Sequence, residues 1–166
     1  TLMQYVGSAK SEYGEERMLS GVYAVCVAAQ RFFQQAAQHA ADSNLRYKFR
    51  ELANLHETTA QQLPATAKQQ ATPQDYSSEL AAVQFWYLHQ QAVLHSQPVT
   101  QSVLTELAGL LQQQLHVLKQ LIRAVHSRTT KVTLAHLSAA LQIASDQLQP
   151  LLKVLPVDRQ NIQTKN

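Results

Sequence analysis

Four stretches of the chain repeat apolar residues at alternating intervals of three and four, and that spacing leaves few folds open. Leu19, Val22, Cys26, Ala29, Phe33, Ala36 and Ala40 make one stripe. Leu45, Phe49, Leu52, His56, Thr59 and Leu63 make a second. Leu104, Leu107, Leu111, Gln114, Leu118, Leu121 and Val125 make a third, and Leu134, Leu137, Leu141, Ala144, Leu148, Leu151 and Leu155 a fourth. The interval matches the pitch of an α-helix, so each stretch carries one apolar seam. Seams of this length leave water by facing one another, which predicts an all-α bundle. No stretch alternates with a period of two, so no strand competes with this reading.

Breaks in the pattern divide the chain. Residues 1–16 hold Gly7 and Gly14 and read as an N-terminal arm. A first helix is expected from about Arg17 to Ala41, followed by the polar turn Asp42-Ser43-Asn44, whose side chains suit helix capping. A second helix extends to about Gln70, kinked by Pro64, which removes a backbone donor and crowds the previous turn. Thr72-Pro73-Gln74-Asp75 is the next break. A third helix is expected over 76–96, ended by Gln97-Pro98. Thr100 caps a fourth that extends to about Ser127. A turn over 129–133 leads to a fifth, which contains Pro150 and ends near Leu155. Residues 157–166 form a polar tail, so 17–156 is the single bundle domain. The short turns make antiparallel hairpins of helices 1 and 2 and of helices 4 and 5. Helix 3, about 20 residues and ~30 Å long, is expected as a crossover long enough to carry the chain back along the bundle between the two hairpins; lying across the bundle or forming a subunit contact are the alternatives.

Composition narrows the function classes. A chain of 166 residues buries enough surface to need no disulfide or metal staple. One cysteine excludes an internal disulfide. Charged residues make up 15% of the chain, against a usual value of about 25%. Glutamine takes their place, as in Gln112-Gln113-Gln114, so helicity is kept while charge repulsion between molecules falls. The net charge of +3 is scattered, with Arg46, Lys48 and Arg50 the densest group, which is not the basic stripe of a nucleic-acid binder. No run reaches the ~18 apolar residues of a membrane span. Residues 1–17 lack the form of a signal peptide, and cytoplasm is the default location.

A family likeness appears in Asn44-Leu45-Arg46-Tyr47-Lys48-Phe49, then Leu52 and Gln62-Leu63. It continues through Thr72-Pro73-Gln74-Asp75, Leu80, Trp86 and Leu104-Thr105-Glu106. Over about residues 19–152 this order resembles a family of bacterial proteins of unknown function described as ferritin-like four-helix bundles. The resemblance implies a ferritin-like bundle of two antiparallel hairpins with an additional crossover helix. It supplies no activity.

A ferritin-like di-metal site takes a Glu from each of two helices and a Glu-x-x-His from each of the others, because i, i+3 spacing puts both ligands on one inward face. No Glu-x-x-His occurs in this chain. The fitting core positions hold Cys26 and Ala29, His56 and Thr59, Leu111 and Gln114, and Leu141 and Ala144. No metal, cofactor or catalytic residue is therefore expected. What is unusual is a residual polar layer: His56, Thr59 and Gln114 on seams that otherwise want apolar side chains, with Cys26 and Tyr23 nearby. Buried polar groups need partners, so these are expected to bond one another, Tyr23 or a water. A sharper reading makes them a small-ligand pocket, with His56 as a candidate haem ligand.

The remaining candidates carry less. His39 with Asp42 and His126 with His136 are weak ligand pairs; a histidine near a helix C-terminus is favoured by the helix dipole alone. No nucleophile turn or phosphate loop is present. Phe85, Trp86 and Tyr87 are the densest aromatic group and a candidate interface. The leading expectation is a non-catalytic bundle acting through self-association or a protein partner. The alternatives are a diverged di-metal oxidase or iron-handling protein, and a small-ligand binder around His56.

Overall fold

A computed structural model describes residues 2–68 and 77–152, with side-chain surroundings for 14–68 and 77–151. Its helices are α1 (Leu2–His39), α2 (Ser43–Gln62), α3 (Ser78–Leu94), α4 (Gln101–Ala124) and α5 (Arg128–Leu152), with one 3-10 turn at Ala65–Lys68. Among the described residues there is no strand, and the fold class is all-α. No helix among them is long and apolar enough to cross a membrane.

Local chemistry sets most helix ends. Asp42 is extended, and its Oδ1 accepts from Asn44 N at 2.8 Å and Leu45 N at 3.0 Å, satisfying two donors that the first turn of α2 leaves open. Ser77 caps α3 through Leu80 N, and Thr100 caps α4 through Val103 N, each at 3.2 Å. Pro64 ends α2 rather than kinking it. The residue before a proline is pushed out of the helical region, and Leu63 sits at φ −70°, ψ 153°. The break expected at 72–75, Leu155 and the tail over 157–166 lie outside the described residues.

Two further boundaries differ from the sequence reading. Helix α1 starts at Leu2, so the residues read as an arm continue the helix. Gly7 and Gly14 each cost about 1 kcal/mol relative to alanine, which weakens a helix without breaking it. Glu15 Oε1 accepts from His126 N at 2.6 Å, tying this end of α1 to the α4–α5 connection. Helix α5 starts at Arg128, so the turn is 125–127 rather than 129–133. Ser127 Oγ accepts from Thr130 N at 3.4 Å, and Thr133 Oγ1 bonds back to Thr129 O at 3.1 Å. Thr130 and Thr133 are buried, and tertiary burial outweighs their modest helix propensity.

The principal packing partners close a ring: α1 against α2, α2 against α5, α5 against α4, α4 against α3, and α3 back against α1. Lys48 on α2 bonds Gln147 on α5. Phe32 meets Trp86 and Tyr87, and Gln35 bonds His95, so α1 and α3 run the same way. Helix α3 is therefore a wall of the bundle, set between α1 and α4, rather than a strap across it. Leu80, Val83, Tyr87 and Leu94 are its inward face. All residues of the first three stripes are buried, as are Leu134, Leu137, Leu141, Ala144 and Leu148 of the fourth, while Leu151 is half-buried.

Candidate functional site: a closed polar chain at the bundle midpoint

Three helices bring four polar groups into line inside the apolar core. His56 (α2), Gln114 (α4) and Tyr87 (α3) are each buried. His56 Nδ1 lies 2.8 Å from the Leu52 carbonyl oxygen. His56 Nε2 lies 3.0 Å from Gln114 Nε2. Tyr87 Oη donates to Gln114 Oε1 at 2.7 Å.

The partners fix the direction of every bond. A carbonyl oxygen only accepts, so His56 Nδ1 carries the proton. The neutral ring then accepts at Nε2, and only the amide nitrogen of Gln114 can donate there. That leaves Gln114 Oε1 to accept the tyrosine proton. The chain runs Tyr87 to Gln114 to His56 to Leu52.

Burial holds all of these groups uncharged. Desolvation pushes His56 down to about 4 from 6.5, opposed only in part by its bond to the Leu52 carbonyl. Tyr87 is held well above 10, first by burial and then by the nearby Cys26 sulfur. Cys26 is pushed up to about 12 by burial. At neutral pH the three are thus a neutral imidazole, a phenol and a thiol.

Rings fill the space around the chain. Phe33 stacks on His56 with centroids 5.6 Å apart, and lies 5.7 Å from Tyr87 and 5.9 Å from Phe49. The positions matched by sequence to a ferritin-like ligand set, Cys26, Ala29, His56, Thr59, Leu111, Gln114, Leu141 and Ala144, are all buried, and His56 is the one histidine among them. Both nitrogens of His56 are engaged in hydrogen bonds. Among the described residues, no group of three or more His, Cys, Asp or Glu side chains could hold a metal ion.

The expected candidates part company. His56 and Gln114 meet as bonding partners. Thr59 is buried but bonds back to Leu55 O at 2.8 Å and stays out of the chain. Tyr23 is half-buried against the core, and the phenol that completes the chain is Tyr87 instead. The aromatic trio splits around α3: Tyr87 is wholly buried, Trp86 is half-buried 5.2 Å from Phe32, and Phe85 is 69% exposed. Tyr87 thus belongs to the interior and is no part of an exposed interface. Asp42 is a helix cap rather than a ligand partner of His39, whose Nε2 lies 3.2 Å from Gln35 Nε2. His126 sits at the α4–α5 turn, and His136 on the α5 face turned toward α2.

Tyr87 was legible as an inward position of helix 3. Its pairing with Gln114 was not, because that depends on α3 standing beside α4. Two outer features also emerge only in three dimensions. The outward side of α3 is apolar, with Ala82, Phe85, Leu88 and Ala92 exposed and Phe85 stacked 6.0 Å from His89. Between α2 and α5 an open groove of about 480 Å³ runs from Lys48, Glu51 and Gln147 to Thr58 and His136, over Leu52, Leu55, Ala140 and Ala144. No family model, no curated protein and no solved structure matches this chain.

Proposed function

We propose that this protein is a non-catalytic helical bundle that works by association, with itself or with another protein, through the outer face of α3. The supporting observation is that face itself. A helix on the surface of a bundle normally carries one apolar stripe, yet α3 carries two. Leu80, Val83, Tyr87 and Leu94 serve the core, while Phe85 at 69% and Leu88 at 42% exposure face outward. From Leu80 to His95 the helix has no Asp, Glu, Lys or Arg. Tyr47, Val132 and Ile143 are also exposed, but on α3 Phe85 and Leu88 lie one turn apart on a face without charge, and such an apolar stripe marks a contact site.

The interior supports the same reading from the other side. Its polar groups satisfy one another, which suits a scaffold that specifies one packing rather than a reaction centre. Kinship with the ferritin-like family belongs to this proposal. It rests on the two hairpins α1–α2 and α4–α5 joined through α2 and α5, with α3 as an added wall.

Sedimentation velocity over a range of concentrations, with a pull-down using immobilised protein, tests the reading. Self-association or a specific partner is expected, and Phe85→Glu is expected to abolish it with an unchanged melting temperature. A strict monomer that recovers no partner sensitive to Phe85→Glu overturns it.

A further inference from the structure

Helices α1 and α3 run the same way, stop at the same end of the bundle, and each stops in a histidine. His39 is the last residue of α1. His95 caps α3 in helical conformation, its N–H donating to Ala92 O and Val93 O. Between the two rings stands the side-chain amide of Gln35, one turn before His39. Its Nε2 lies 3.2 Å from His39 Nε2 and 3.5 Å from His95 Nδ1. An amide nitrogen only donates, so both ring nitrogens turn a lone pair toward the same point.

We infer that this point is a site for a transition-metal dication of the zinc type, held by His39 Nε2 and His95 Nδ1, and that the ion staples the end of α3 to the end of α1. The inference does not depend on the association reading, since both ligands belong to one chain.

Ligand chemistry, field and reach each support it. Neutral imidazole suits zinc, nickel and copper, whereas magnesium and calcium want oxygen ligands. The carbonyl ends of two parallel helices lie side by side here. Each carries roughly half a negative charge, so the two ends repel each other and a cation between them relieves the repulsion. The chain carries +3, yet residues 34–41 and 80–97 hold no Lys or Arg, and the charge nearest His39 in sequence is the Asp42 carboxylate. His39 is half-buried and His95 exposed, so the site is open to solvent. A Zn–N bond is about 2.0–2.1 Å long, so an ion in the place of the amide nitrogen asks each ring to move in by about 1 Å. Turned about, Gln35 offers Oε1 as a third ligand, and water completes a tetrahedron.

Calorimetric titration of zinc chloride into the full chain, free of any histidine tag, tests the site. One ion per chain is expected. His39→Ala and His95→Ala should each lower the affinity at least about tenfold, and the double variant little further, because a single remaining imidazole no longer chelates. Gln35→Glu sets a carboxylate between the rings and should tighten binding. His116→Ala removes a ring that bonds Gln120 on its own helix and should change nothing. Zinc should raise the melting temperature of the wild type and not of either single variant, since the ion ties two helices together. If His39→Ala lowers the melting temperature without zinc, the exposed His95→Ala carries the comparison. A wild-type chain that takes up no zinc overturns the inference. So does binding that His39→Ala and His95→Ala leave unchanged, which is an adventitious ion only. One ion per two chains overturns it as well, because the ligands then come from separate copies.

Discussion

Gln114 presents its amide nitrogen to His56 Nε2 at 3.0 Å, and that contact orients every proton at the bundle midpoint. Turned the other way, the amide would set its oxygen against the unprotonated His56 Nε2, two acceptors facing each other, and Tyr87 would lose the acceptor of its proton. The three side chains therefore act as one unit spanning α2, α3 and α4. The low dielectric that strengthens the unit also makes it costly to break.

Removing one member should cost more than its own bond. Tyr87→Phe keeps the ring and strips the hydroxyl, leaving Gln114 Oε1 buried without its donor. The expected loss is about 1–3 kcal/mol in chemical denaturation. The triple variant Tyr87→Phe, Gln114→Leu, His56→Leu should lose less than the sum of its singles, because no polar group is then left unsatisfied. Additive losses would show that the three residues are independent.

Stability should fall on mild acidification. Folded His56 titrates near 4 and an unfolded histidine near 6.5. Between those values the unfolded chain binds a proton that the native one refuses, so the His56 contribution is complete above about pH 6.5 and is lost as pH drops toward 4. The whole span is worth roughly 3 kcal/mol, at 1.36 kcal/mol per unit. Denaturant melts across this window measure the slope. His56→Gln, less stable at pH 7, should lose that part of it.

Cys26 should be silent until the protein unfolds. Burial lifts its thiol to about 12. The thiolate fraction at pH 8 is then on the order of a thousandfold below that of a free cysteine, before access is considered. A chromogenic disulfide reagent should titrate one thiol in denaturant and almost none in native buffer. Rapid native reaction would mean that the first seam opens readily.

The α1–α2 connection depends on one carboxylate. Asp42→Ala removes the acceptor of two backbone donors and should cost about 1 kcal/mol, while Asp42→Asn should restore most of it. Thermal melts of the pair measure the cap.

Much of the scaffold could be read from spacing alone. Period, stripe and cap are local properties, fixed by residues within a few positions of each other. That is why Leu19 through Ala40 and Leu104 through Val125 fall on buried seams, and why Asp42 and Thr100 stand at helix starts. The same locality misplaced the ends whose outcome depends on distant packing. Thr130 and Thr133 look like turn residues until burial against the bundle makes them helical. Spacing also marked His56, Thr59 and Gln114 as polar intruders on apolar seams. It could not tell which of them would bond across helices, because Thr59 satisfies its hydroxyl on its own helix, whereas His56 satisfies only Nδ1 there and needs a partner for Nε2.

The order of the walls was decided only by the tertiary structure. Setting α3 between α1 and α4 gave Gln114 the hydroxyl of Tyr87 instead of Tyr23, and turned Phe85 outward opposite the α2–α5 groove. Sequence by itself determined that helices form and which edge of each avoids water, since a helix repeats every 3.6 residues whatever surrounds it. Which edges meet is a matter of non-local contact, and the polar chain follows from that arrangement.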